Sequence, residues 1–317
     1  MNRIINTQES SSNMSFSGSA YLDSLAEKFA RNDSLRVRIG AELERFRHDE
    51  TTALSPCIYE PSIALILQGK KKVLYGDTEL EYGPGSLLLT TLDVPVMSAV
   101  TEATRDRPYI SLFLRLDMAL MAQCLEELPA WSVSPDSEYV PLTVWRAEDA
   151  LINAFHRMAE SLESEVLSPL LYPLHRKEVV LRLLTGEPGK VIRQTLQKNN
   201  AVNRISQAIQ WIKHNYDKPF DLDRLAGEVY MSTSTFRQYF RKVTGVSPLQ
   251  YQKKIRLLEA RKLMINGDAD ASHTALLVGY ESVSQFNREY HRLFGRPPLR
   301  DIRALQAGTG LGEQGIM

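Results

Sequence analysis

Residues 230–248, YMSTSTFRQYFRKVTGVSP, and residues 280–298, YESVSQFNREYHRLFGRPP, are one pattern written twice. An offset of fifty residues aligns Tyr230 with Tyr280, Ser232 with Ser282, Ser234 with Ser284, Phe236 with Phe286, Gly245 with Gly295 and Pro248 with Pro298. Phe240/Tyr290 and Val243/Leu293 match in kind, so the stretch is an internal duplication rather than a compositional accident. Each copy predicts a helix: a serine placed to cap the first free amides, apolar residues at i, i+4 and i+7 on one stripe, and a glycine that stops it. Ahead of the first copy, Leu222, Leu225, Ala226 and Val229 form a short amphipathic segment after Asp221, and Ala275, Leu276 and Val278 do the same ahead of the second. Helix, short turn, helix is the helix-turn-helix unit, whose second helix enters the major groove of DNA.

The face opposite each aromatic stripe is polar and basic. The first copy offers Ser232, Ser234, Arg237, Gln238 and Arg241; the second offers Ser284, Gln285, Asn287, Arg288 and Arg292. Arginine pairs bidentately with guanine, and asparagine or glutamine with adenine, which suits base readout. A single amphipathic helix with such a face is most simply a solvated surface, but two copies in one basic segment favour DNA. Residues 204–303 hold 17 Lys and Arg against 10 Asp and Glu, whereas residues 1–200 hold 21 against 27, so the formal net charge of zero hides a basic C-terminal end. Between the copies, PLQYQKKIRLLEARKLMI (248–265) predicts one helix, opened by a first-turn proline and ended before Asn266-Gly267. Its length of roughly 27 Å approaches the ~34 Å of one DNA turn, so one chain could address two successive major grooves. Lys253, Lys254 and Arg256 on that helix are candidates for phosphate contact or for salt bridges to neighbouring carboxylates.

At 317 residues, 43% hydrophobic and 24% charged, the chain is of ordinary globular composition and long enough for two domains. No apolar run approaches the ~20 residues of a membrane span, and the N-terminus is polar and Ser/Asn-rich, so a cytoplasmic protein without a membrane partner is expected. Cys57 and Cys124 cannot make a disulfide framework, and six scattered histidines give no zinc-site spacing, so neither metal nor cofactor is expected.

The N-terminal part has a different texture. Residues 19–48 carry a helical apolar period (Tyr21, Leu22, Leu25, Phe29, then Leu35, Ile39, Leu43, Phe46) and predict two helices. From Ile58 to about Leu116, the run IALIL, the alternating VLYGDTELEY, the turn Gly83-Pro84-Gly85, SLLLT and YISLFLRL predict successive strands of an antiparallel barrel or sandwich. Residues 147–185 return to helical periodicity, with one helix through Leu151, Ala154, Phe155 and Met158 and a second from about Pro173. Lys70-Lys71-Lys72 reads as a solvated hairpin, and Cys57 either as a buried small hydrophobe or as a redox sensor.

Three stretches, MSTSTFRQYFRKVTGVSPLQY (231–251), IRLLEARKLM (255–264) and VGYESVSQFNREYHRLFGRPP (278–298), resemble the AraC/XylS family of bacterial transcription regulators over roughly residues 200–303. Carried across residue by residue, the family's groove-facing positions fall on Ser234, Arg237 and Gln238, and on Ser284, Gln285, Asn287 and Arg288. YEPSIALILQGKK and YGPGSLLLT resemble the cupin-like N-terminal domain of one AraC subgroup. The resemblance implies an α+β multidomain protein: an N-terminal cupin-like β-barrel with flanking helices, and a C-terminal all-α domain with two helix-turn-helix units joined by a long helix. The expected boundaries are a disordered N-terminus over 1–18, a sensing and dimerising domain over 19–189, a linker over 190–200, the DNA-binding domain over 201–303 and a flexible tail over 304–317.

No histidine lies between His48 and His156, so the metal triad of cupin enzymes is missing and the chain is not expected to be an enzyme. A small barrel can instead hold one small ligand, and Tyr59, Glu60, Gln68 and Arg115 are the candidates for lining such a site, although polar groups at strand ends usually face water. The implied partners are double-stranded DNA, an unknown small-molecule effector, a second copy of the chain and RNA polymerase; transcriptional activation is the expected output. Three alternatives stand beside this reading: a regulator controlled by redox state or a protein partner, an enzyme fused to a DNA-binding domain, and an architectural module dominated by salt-dependent phosphate contacts.

Overall fold

The computed structural model describes residues 18–31, 33–129, 139–197, 200–219, 221–267 and 270–306. The expected disordered N-terminus, apart from Gly18, and residues 307–317 of the expected flexible tail lie outside them; residues 304–306 close the last helix. In chain order come α1 (Gly18–Ala30), β1 (Arg36–Arg38), β2 (Leu43–His48), β3 (Ser55–Tyr59), β4 (Ser62–Gln68), β5 (Lys70–Tyr75), β6 (Thr78–Tyr82), β7 (Ser86–Thr90), β8 (Val94–Glu102), β9 (Tyr109–Arg115), α2 (Met118–Glu127) and β10 (Leu142–Arg146). Helices α3 (Asp149–Glu160), α4 (Ser168–Thr185), α5 (Gly189–Leu196) and α6 (Ala201–His214) follow, then α7 (Leu222–Glu228), α8 (Thr233–Thr244), α9 (Pro248–Ile265), α10 (Ala271–Leu277), α11 (Val283–Phe294) and α12 (Pro298–Gln306).

The strands form two antiparallel sheets, ordered β1-β2-β9-β4-β7-β10 and β3-β8-β5-β6. In the larger sheet both faces are buried, which explains why IALIL and SLLLT are near-continuous apolar runs. Ile63, Leu65, Leu87, Leu89, Ile110, Leu112 and Leu114 point out to a helical layer of α1, α2, α3 and α4, while the alternate residues Ile66 and Leu88 point in toward the smaller sheet. Pro56 sits on β3, an edge strand, where its missing N–H breaks no central ladder.

Two expectations for this half are corrected. The second helix expected near Leu35–Phe46 is the hairpin β1–β2, with β2 paired along β9 from Leu43↔Leu114 to His48↔Tyr109. The helical spacing of Leu35, Ile39 and Leu43 is coincidental, because Leu35 is exposed while Glu44, Arg45 and Arg47, polar positions on any helical wheel, are buried. Glu44 is held by Arg36 and Arg47 by Asp49. Helix α4 begins at Ser168 rather than near Pro173, because Pro169 in its first turn supplies the favoured start and Pro173 is carried inside the helix.

The linker expected over 190–200 contains the helix α5, whose Ile192 joins the barrel-side core. Its junction with α4 is tight: a Cβ on Gly189 would stand 2.1 Å from the Leu184 carbonyl oxygen, so only glycine fits. Then, after Asn200 caps α6 through the Asn203 amide, the chain enters the DNA-binding half.

Candidate nucleic-acid interface

Each unit is assembled by the same local chemistry. Asp221 caps α7 through the Arg224 amide and Ser232 caps α8 through the Thr235 amide; Asp270 caps α10 and Ser282 caps α11 through the Gln285 amide. Both long helices end on a left-handed glycine, Gly245 and Gly295, each at φ 74°. Phe236, Phe240 and Val243 bury the inner stripe of α8, and Phe286 and Tyr290 that of α11. Helix α9 runs over the expected 248–265 and opens with a reciprocal Ser247/Gln250 capping box.

The repeat is not uniform at its turns. The amides of Tyr230 and Met231 donate to the carbonyls of Gly227 and Ala226, as those of Gly279 and Tyr280 do to Leu276 and Ala275. Up to the turn the structural offset is therefore forty-nine residues, and Glu281 restores fifty before the second cap. Tyr230 is equivalent to Gly279, not to Tyr280, and the identity of the two tyrosines is fortuitous. Accordingly Tyr280 is buried on the Phe286 ring while Tyr230 is exposed.

On the outward face of α8, Ser234, Arg237, Gln238 and Arg241 are exposed, and on that of α11 so are Ser284, Asn287, Arg288 and Arg292. Ser232 is exposed but already engaged as the cap, and Gln285 is half-buried, donating to Glu289 at 3.1 Å. Lys253, Lys254 and Arg256 do not extend this face. Lys253 is bridged to Glu289 at 2.6 Å, Arg256 donates to the carbonyls of Tyr216, Lys218 and Gly279, and burial lowers the pKa of Lys254.

The first unit is bolted to the barrel. Asp93, just ahead of β8, is fully buried and accepts from Gln210 at 2.7 Å and from Lys213, both on α6; the Tyr251 hydroxyl of α9 donates to its carbonyl at 3.0 Å. Burial pushes the Asp93 carboxyl up from its usual range, with Lys213 and Gln210 opposing it. At the β5–β6 hairpin the Tyr75 hydroxyl donates to the Val243 carbonyl, and Gly76 packs on Gly245 at the end of α8. One apolar cluster runs from Tyr59, Val73 and Val96 inside the barrel to Ile205, Phe236 and Phe240.

The four candidate ligand residues do not converge on one cavity. Glu60 bridges Arg115 at 2.7 Å and Lys213 at 3.3 Å at the junction of the two halves, and Gln68 ties the Pro108 carbonyl. Tyr59 alone of the four lines the space between the sheets, with Tyr82, Tyr109, Ser111 and Lys71, and that space is nearly filled, about 10 Å³. Lys71 is not solvated: it is 8% exposed, against the Tyr59 ring, and burial lowers its pKa to about 8. Cys57 is buried against Ser98, and burial raises its thiol pKa, opposite to what a redox sensor needs. A larger cavity, about 320 Å³, lies outside the barrel among Leu87, Trp145, Leu151, Leu183 and the Gly186–Pro188 turn at the α4–α5 junction. No helix among the described residues is long and apolar enough to cross a membrane, and they contain no acid, histidine or cysteine cluster fit for a metal ion.

A family model of the AraC-type transcriptional regulator N-terminus matches residues 41–191, and a helix-turn-helix domain model matches residues 225–304. The chain belongs to the AraC family of transcription regulators. Among relatives, it is 28% identical over 171 residues to the virulence regulon transcriptional activator VirF of Yersinia enterocolitica, which spans 54% of this chain and 62% of VirF. It is 25% identical over 244 residues to the transcriptional regulator ExsA of Pseudomonas aeruginosa, 76% of this chain and 85% of ExsA. In fold, this AraC-family chain is similar to apo ToxT of Vibrio cholerae, with a TM-score of 0.58 and 12% identity over 83% of this chain and 98% of ToxT. ToxT with an unsaturated fatty acid bound gives a TM-score of 0.53 and 14% identity, over 82% and 93% of the two chains. The AraC-type match to the first half ends inside α5 and the second starts inside α7, so α6, which carries Gln210 and Lys213, falls in neither. Those two residues and Asp93 were missed in the sequence, where nothing marks a carboxylate as the partner of a lysine 120 positions away.

Proposed function

We propose that this AraC-family chain is a sequence-specific, double-stranded-DNA-binding transcription regulator that reads two successive major-groove segments with α8 and α11. The observation that carries the reading is the duplication: two helices, each fixed by an aromatic stripe, each presenting exposed Arg with Gln or Asn outward. Arg237, Gln238, Asn287 and Arg288 are the base-reading residues, with Ser234, Arg241, Ser284 and Arg292 beside them. Ser232 and Gln285 hold the helix ends and faces in place.

Control from the first half rests on the shared core and on the Asp93 and Tyr75 contacts, through which a change in the barrel reaches α6 and α8. The cavity at the α4–α5 junction, of ligand-accepting size, is the better place for a small-molecule effector than the filled barrel interior. A second copy would dock on the exposed stripe of Val166, Leu167, Leu170 and Leu174 at the start of α4, which no described residue covers. Activation is carried over from relatives named as transcriptional activators, and RNA polymerase would be the partner on which it acts.

The test is selection of bound duplexes from a random pool by the full-length protein in physiological salt. The expected result is a motif of two short elements about 10 bp apart, with Arg237→Ala and Arg288→Ala each relaxing one position at a cost of ~1–3 kcal/mol there. Equal loss on selected and random DNA would sink the base-reading assignment.

A further inference from the structure

Tyr230 is the only non-glycine described residue with a left-handed backbone, at φ 55°. A bulky aromatic is strained there, and such strain persists only where something else holds it. The repeat supplies an internal control. At the equivalent Gly279 the same conformation is filled by glycine of necessity, because a Cβ would stand 2.1 Å from the Asp217 carbonyl oxygen. At position 230 the space is open, glycine would serve the turn equally well, and the chain carries a tyrosine that is 83% exposed. Packing does not repay the strain.

The surroundings indicate what could. Tyr230 stands two residues ahead of the Ser232 cap of α8, in the turn that a docked helix-turn-helix places beside the rim of the major groove. Arg204 of α6 reaches the same turn, donating through Nη1 to the Tyr230 carbonyl at 2.7 Å, and makes no ion pair among the described residues. A guanidinium with donors to spare and a solvent-exposed phenol on one turn suit a DNA phosphate, which takes hydrogen bonds from both side-chain types.

We propose that Tyr230 and Arg204 form a backbone-phosphate clamp that seats the first unit on DNA. The clamp rests on the DNA-binding reading above. It adds affinity without sequence preference, and its two members differ in salt response: the arginine displaces a counterion and the neutral phenol does not.

The test uses the full chain, a random-sequence duplex and the pool-selected duplex, titrated over a series of salt concentrations, with Tm recorded for each variant. Tyr230→Phe should bind both duplexes about ten-fold more weakly, with the slope of log K against log salt unchanged. Tyr230→Gly should show the same loss while its Tm stays level or rises, since it relieves strain. Arg204→Gln should lower the slope by about 1. Wild-type affinity in both tyrosine variants, or a loss that appears only with a fallen Tm, overturns the clamp. So does unchanged DNA binding with lost transcription, which would assign Tyr230 to a polymerase contact. Failure of the wild type to bind any duplex would instead overturn the DNA-binding reading itself.

Discussion

The two helix-turn-helix units share a sequence pattern but not a support. The first has no core of its own: Phe236, Phe240 and Val243 sit in one apolar cluster with Tyr59, Val73 and Val96 of the barrel, and its α8 terminus is gripped by the β5–β6 hairpin. The second keeps a separate core of Leu257, Met264, Val278, Tyr280, Phe286 and Tyr290, with no barrel residue in it, although α11 passes close to β3. It also has its own buried anchor. Asp301 accepts two bonds from Arg261 at 2.8 and 3.0 Å and one from Tyr290 at 2.7 Å, all nearly excluded from water. A duplicated motif can thus be held once by its neighbours and once by itself, and the two modes differ in what a perturbation in the barrel can reach.

The largest effect should separate the two cores. Phe240→Ala and Phe286→Ala each remove a fully buried ring and should cost ~3–5 kcal/mol. Hydrogen exchange should show Phe240→Ala loosening the smaller sheet together with α6 and α8, and Phe286→Ala loosening only the second half of α9 and the residues after it. Identical exchange maps would break the distinction. Next, Asp301→Ala should cost ~3–5 kcal/mol by stranding Arg261, whereas Asp93→Asn, which leaves Lys213 its bridge to Glu60, should cost ~1–3 kcal/mol. Chemical denaturation of the two variants checks the order, and a smaller loss for Asp301→Ala would mean that the second unit is not anchored by its ion pair.

The last effect concerns pH. The Lys71 pKa is lower in the folded chain, about 8, than the ordinary ~10.4 of the unfolded one. Below pH 8 both states carry the charge and the folded state bears its full burial cost; between pH 8 and about 10.4 the unfolded state binds more protons, so stability rises with pH. Lys71→Met should therefore raise stability by up to ~2–3 kcal/mol at pH 7, and the gain should shrink as pH rises through that window. Thermal melts at pH 7 and pH 10 decide this; a gain independent of pH would mean that Lys71 is not titrating inside the barrel.

What the sequence exposed and what it hid follow from the range of the forces involved. Helix periods, serine caps and terminal glycines are local, so α9 was legible to the residue, and α8, α11 and the strands of IALIL and SLLLT were legible in kind and place. The hairpin β1–β2 was not, because its residues follow a helical period by chance and only pairing with β9 fixes them. The clamp of Asp93 on Lys213 was invisible for the same reason: it joins elements far apart in sequence. Lys71 was misread because its neighbours Lys70 and Lys72 do face solvent, bridged to Glu102 and Glu79, and strand alternation alone turns the middle lysine inward. The exposed faces of α8 and α11 could be named from the sequence, but not the one-residue slip between the two turns that sets Tyr230 apart.

Helix α9 carries a consequence for anyone who wishes to exchange parts between regulators of this kind. Its first half, through Tyr251 and Ile255, is packed into the barrel-linked core, and its second half, through Leu257, Ala260 and Met264, into the other. A chimera spliced at residue 200, where the chain passes into α6, would uncover the apolar sides of α6 and α8 and strand Asp93. A graft made near Arg256, in the middle of α9, would instead part the two cores where they meet, and the ties it would have to rebuild are few: Lys253 to Glu289, Arg256 to the Tyr216 and Lys218 carbonyls, and the packing of Tyr216 against both cores.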